Sequence, residues 1–118
     1  VFLILSCLDG FMQLFHLSFY VPVEQAEMVK QAIFAAGVGR LGNYDCACWQ
    51  TLGVGQFRPL AGAKPFIGIL GHVETVEEVK VETVCEGDKI DAVIAALKQA
   101  HPYEEPAYIV LPMWSQSS

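Results

Sequence analysis

The chain reads as an α+β domain of the ferredoxin-like kind, a βαββαβ sandwich with two helices on one face of an antiparallel sheet. Three observations predict it. Two segments carry apolar residues at helical spacing. Four others alternate with period two and are rich in β-formers. Their order is strand, helix, strand, strand, helix, strand, the split βαβ arrangement.

The first strand is expected over 13–21. Phe15, Leu17, Phe19 and Val21 form one strongly apolar face, and Leu14, His16, Ser18 and Tyr20 the other. Pro22 ends it. A helix follows over 24–36, with Glu24 and Glu27 near its positive end and Ala26, Val29, Ile33 and Ala36 as the buried stripe. Gly37 and Gly39 close it, because glycine enters left-handed backbone at little cost. A second strand is expected over 43–57, placing Tyr44, Cys46, Cys48 and Gln50 on one face; Gly53 and Gly55 predict a bend or bulge in it. A loop over 58–65 and a short apolar piece, 66–71, lead to a long third strand over 72–85. Gly87-Asp88 opens the second helix, whose stripe is Ile90, Val93, Ile94 and Leu97. His101-Pro102 stops it, and a last strand runs over 107–113.

With 118 residues the chain fits one domain. Residues 1–11 are expected to be a mis-started extension and 12–118 the domain proper. The run Val1–Leu8 is apolar but too short to span a bilayer and lacks the basic flank of a signal peptide. An apolar share of 53% is rich for so small a chain and predicts burial against partner copies. The net charge of −6 disfavours nucleic acid and anionic membrane. Cys7, Cys46, Cys48 and Cys85 have neither zinc-ribbon nor disulfide-framework spacing, so all four read as reduced thiols of the cytoplasm, mostly buried.

The densest chemistry lies in His101-Pro102-Tyr103-Glu104-Glu105-Pro106-Ala107-Tyr108. One imidazole, two carboxylates and two phenols share a corner stiffened by two prolines. His101 and Glu104, with Cys46, are a candidate ligand set for copper or zinc. The competing structural reading makes His101 a cationic cap on the helix end. Glu104 and Glu105 would point apart if the segment were extended. Gly53 to Gly55 with Arg58 and Lys64 is a candidate anion cradle, the alternative being a bulged hairpin. No Ser-His-Asp or Cys-His arrangement is visible in the spacing.

Five ordered motifs carry a family resemblance: Gly42–Cys46, Gly53–Pro59, Pro65–Gly68, Val81–Val84 and His101–Tyr108. Together they resemble the insert domain of the YqfO-type members of the NGG-one-interacting-factor-three family. The His-Pro-Tyr-Glu element is also similar to CutA, the divalent-cation tolerance protein, whose fold is related to PII signalling proteins. The likeness covers about Leu14 to Leu111. It implies a ferredoxin-like fold, and self-association by pairing long strands across subunits, as a trimer or else a dimer. It implies ligand or partner contacts at the loop between the second and third strands. The two-metal core of the full-length family has no counterpart among His16, His72 and His101, so the insert domain would stand alone, without the metal chemistry or the GTP cyclohydrolase label.

The expectation is therefore a cytoplasmic, non-catalytic regulatory or ligand-binding module, homo-oligomeric, taking a small molecule or a metal ion. Tyr44, Trp49, Arg58 and Tyr103 are the candidate ligand- or partner-binding residues; His101, Glu104 and Cys46 are the candidate metal residues. A CutA-like metal-binding protein and a cryptic hydrolase are the alternatives.

Overall fold

The computed structural model describes residues 13–114. Strand β1 is Leu14–Pro22, helix α1 Ala26–Ala35, β2 Cys48–Phe57, β3 Glu74–Glu86, helix α2 Ile90–Ala100 and β4 Tyr108–Met113. A single 3₁₀ turn precedes each helix, at Val23–Gln25 and Gly87–Lys89. The strands form one sheet in the order β2-β3-β1-β4, with every neighbouring pair antiparallel. The expected βαββαβ sandwich is the observed architecture. The expected extension, residues 1–11, lies outside the described residues.

Alternation in β1 decides which face is covered. Leu17, Phe19 and Val21 pair with Thr83, Val81 and Val79 of β3, and all six are buried. Val29 and Ile33 of α1 and Val93 and Leu97 of α2 pack onto them at full burial, so both helices cover the same face. At about 25 cal/mol per Å² of apolar surface removed from water, each such side chain contributes about 2 kcal/mol.

Both helix ends follow from local sequence. Gly37, at φ +110°, closes α1: its N–H donates to Phe34 and the Val38 N–H to Ile33, the paired bonds of a Schellman motif. His101 donates its N–H to Leu97 and then turns extended (ψ 136°), as the following Pro102 requires.

Three local expectations are corrected. The second strand starts at Cys48, because Cys46 adopts left-handed backbone (φ 54°) and turns the chain into the ladder. Cys46 and Cys48 therefore do not share one strand, and both thiols are exposed, whereas Cys85 is buried; Cys7 lies outside the described residues. The bulge expected at Gly53 and Gly55 is not formed: β2 pairs with β3 one-to-one from Cys48↔Thr83 to Phe57↔Glu74.

β1 ends at the pair Pro22↔Glu78, while β3 begins at Glu74, four residues further out. The β2–β3 ribbon therefore overhangs the sheet by about 14 Å at ~3.4 Å per residue. Exposed Leu52 and Val54 lie on its helix-side face, and exposed Trp49 on the opposite one. At the other margin, β4 is six residues long and contains Pro112, a residue tolerated in a sheet at an edge.

Candidate functional site

The site forms where the overhang, the β2–β3 loop and the corner after α2 meet. It is a cavity of about 350 Å³, within the size range of small-molecule sites. Tyr20, Gly55, Phe57 and Glu78 come from the sheet, Pro59, Ala63, Pro65, Phe66 and Ile67 from the loop, and Tyr103, Glu104, Glu105 and Ala107 from the corner. The ladder registers put these four sheet residues on the face opposite the helices, while Gln56, which also lines the cavity, alternates to the other face.

His101 sets the corner. It is 5% exposed, with its ring edge-on to Phe19 at 6.4 Å between centroids. The Tyr103 N–H donates to Nδ1 at 3.1 Å, which leaves Nε2–H to donate to the Tyr20 carbonyl at 2.6 Å. β4 pairs with β1 only as far as Phe19↔Tyr108. The imidazole thus supplies a hydrogen bond to β1 beyond the point where β4 stops. Burial lowers the His101 pKa, against the raising influence of the Tyr20 bond and the Glu78 charge. His101 caps α2 through its backbone N–H, and its ring is a neutral spacer between β1 and the corner, in place of the expected cationic cap.

Tyr103 is the hub. Its ring lies 4.8 Å from His101, 6.2 Å from Phe57 and 6.4 Å from Phe66, centroid to centroid. Its hydroxyl donates to Glu78 Oε2 at 2.6 Å. Burial first, then the Glu78 hydrogen bond and charge, push the phenol well above its ordinary pKa, so it stays protonated. Gly55 makes this bond possible: a Cβ there would overlap the Glu78 carboxylate. The glycine that suggested a bulge instead clears a path for a carboxylate across the ribbon.

The loop is tied to the corner and to itself. The Lys64 N–H donates to Glu104 Oε1 at 3.0 Å, and the Gly71 N–H to the Pro59 carbonyl at 2.7 Å. The corner is a series of bends rather than an extended strand, so Glu104 and Glu105 both line the cavity. They were expected to point apart.

The candidate residues are dispersed. Tyr103 and Glu104 line the cavity. Arg58 is exposed and does not line it, although Phe57 and Pro59 on either side do. Trp49 is 69% exposed and its indole N–H donates to Thr51 Oγ1 at 3.0 Å. Tyr44, 77% exposed, sits in a tight turn paired with Leu41. Cys46 lines a separate, more polar hollow with Arg40, Asp45, Glu86 and Lys89. Among the described residues no three His, Cys, Asp or Glu side chains group so as to hold a metal ion, so His101, Glu104 and Cys46 are not brought into one ligand set. Both nitrogens of His101 are already engaged by backbone.

Tyr20, Phe57, Phe66 and Glu78 were missed. The glycine at 55 was the available signal, but its meaning depends on which β3 residue lies beside it.

Three of the five motifs that carry the family resemblance flank this cavity. The chain is 46% identical over 97 residues to the GTP cyclohydrolase 1 type 2 homolog of Bacillus subtilis, covering 82% of this chain and 26% of that protein. The solved Bacillus cereus protein related to NIF3 superposes with a TM-score of 0.76 at 37% identity, over 90% of this chain and 27% of that one. The chain is homologous to one segment of the NIF3-related proteins. It spans about a quarter of the length of the curated relatives it matches. No family model matches it. CutA of Xylella fastidiosa has the same fold, with a TM-score of 0.63 at 17% identity over 87% of this chain and 86% of that one. The expected resemblance to the NIF3-related segment and to CutA is thereby borne out. No helix of the described residues is long and apolar enough to cross a membrane.

Proposed function

We propose that this chain is a non-catalytic, ligand-binding regulatory module of the cytoplasm that acts as a homo-oligomer, with the Tyr103 cavity as its ligand site. The observation that carries the reading is that the imidazole and the phenol of the corner are both already engaged. The corner histidine is committed through both nitrogens, and the phenol is committed to Glu78. General acid–base catalysis needs a group free to exchange protons near its operating pH, whereas these groups shape a wall. The walls are mainly aromatic and aliphatic with a few fixed polar atoms, the make-up of a binding pocket.

Self-association is supported by the free edge of β2 and by the exposed apolar residues Trp49, Leu52 and Val54 along it. A long, exposed, apolar edge strand is covered in most native assemblies. A trimer built on strand pairing between copies is the arrangement the CutA-like fold suggests.

Two measurements test the proposal. Light scattering coupled to size exclusion should report an oligomer, and Leu52→Lys with Val54→Lys should convert it to smaller species. Purified protein should leave GTP and a panel of phosphoesters unchanged. Turnover that disappears with Glu78→Gln would overturn the non-catalytic reading.

A further inference from the structure

The cavity's charge is one-sided. Among the described residues its lining contains three carboxylates, Glu78, Glu104 and Glu105, and no lysine, arginine or histidine, although Lys80 Nζ lies 6.0 Å from the centroid of the Tyr20 ring. Four of its residues are aromatic: Tyr20, Phe57, Phe66 and Tyr103. Three of these rings cluster, with Phe57 and Phe66 each within 6.4 Å of Tyr103. Aromatic faces attract cations through the negative side of the ring, and the attraction strengthens where water is displaced. Carboxylates beside such faces add a second attraction of the same sign and repel anions.

The committed hydrogen bonds strengthen the argument. The Tyr103 proton is spent on Glu78 Oε2, so the phenol offers an incoming ligand no free donor. Glu104 uses Oε1 to hold the loop through the Lys64 N–H, and its second oxygen remains to accept. The cavity thus presents acceptors and ring faces, a surface matched to a positively charged ligand with an apolar body.

We propose that this pocket binds an organic cation, an ammonium or guanidinium group carried on an aryl or alkyl stem. The stem lies against Phe57, Phe66 and Pro65, and the charged head faces Glu104 and Glu105. This rests on the pocket being the ligand site, and it excludes phosphate-bearing ligands from that position.

Three probes on one phenethyl stem separate the charge from the stem: phenethylammonium, phenethyl alcohol and hydrocinnamate, each titrated into ¹⁵N-labelled full chain. Phenethylammonium should shift the amide signals of Gly55, Ala63 and Ala107. It should bind at least about fivefold more tightly than the alcohol, the scale of one partly exposed cation–π or ion-pair contact, and hydrocinnamate should bind most weakly. In Glu104→Gln/Glu105→Gln, two changes at exposed positions, the preference for the ammonium over the alcohol should disappear while binding of the alcohol persists. Equal binding of all three probes with the same amides shifting would overturn the cation assignment and leave the pocket as a ligand site. If none of the three moves those amides, both the assignment and the site fall.

Discussion

Replacing His101 by alanine tests how the corner is held. The ring makes two hydrogen bonds with backbone, at 2.6 and 3.1 Å, and packs edge-on against fully buried Phe19. Each bond contributes about 1 kcal/mol net, and an unpaired buried carbonyl at Tyr20 costs ~1–3 kcal/mol unless water enters. With the lost packing, His101→Ala should destabilise by about 2–4 kcal/mol at pH 8. The sign of the pH effect follows from the depressed folded-state pKa. Above the unfolded value of about 6.5 the neutral ring contributes in full. As pH falls below it, the unfolded chain binds a proton the folded chain refuses, and the contribution shrinks until the folded pKa is passed. The loss can reach about 1.4 kcal/mol per pH unit within that window. Urea denaturation at fixed protein concentration, at pH 8 and pH 5.5, measures both terms. The gap between wild type and variant should narrow at the lower pH. An unchanged gap would refute the neutral-ring account, and a gap below about 0.5 kcal/mol at pH 8 would refute the structural role.

Four further outcomes follow from the same structure. Gly55→Ala should displace the Glu78 carboxylate without unfolding the ribbon and cost about 1 kcal/mol, the worth of one hydrogen bond; in a Tyr103→Phe background the same change should cost almost nothing. The Tyr103 ring signal should titrate at lower pH in Glu78→Gln than in wild type, because one cause of its raised pKa is gone; an unmoved titration would count against the bond. In a Cys7→Ser background, a chromogenic disulfide reagent should modify Cys46 and Cys48 in the folded chain and Cys85 only on unfolding; a fast-reacting Cys85 would contradict its burial. Cys46→Gly should raise thermal stability by up to about 1 kcal/mol by relieving left-handed backbone at a residue with a Cβ; destabilisation would indicate that the thiol itself contributes.

The sheet and both helices were legible because burial is written in local periodicity. Leu17, Phe19 and Val21 alternate, and Val29–Ile33 and Val93–Leu97 repeat four apart. The corner was legible because proline restricts its own φ and its neighbour's ψ. The site was only half legible. Tyr103 and Glu104 lie in one motif, but Glu78 reaches them from β3 through a gap that Gly55 leaves in β2. That meeting depends on a ladder register linking positions more than twenty apart, which no local window contains. Cys46 and Cys48 misled for a related reason. Spacing of two predicts a shared face only if both residues are in a strand, and Cys46 is not.

The two margins of the sheet are unequal. One is the ten-residue β2, and the other is the six-residue β4 interrupted by Pro112. Endless edge-to-edge growth into a filament needs a receptive margin on each side of every molecule. Pro112 removes one ladder donor from the shorter margin, so strand addition there would be weaker than at β2, and open-ended growth through both margins is disfavoured.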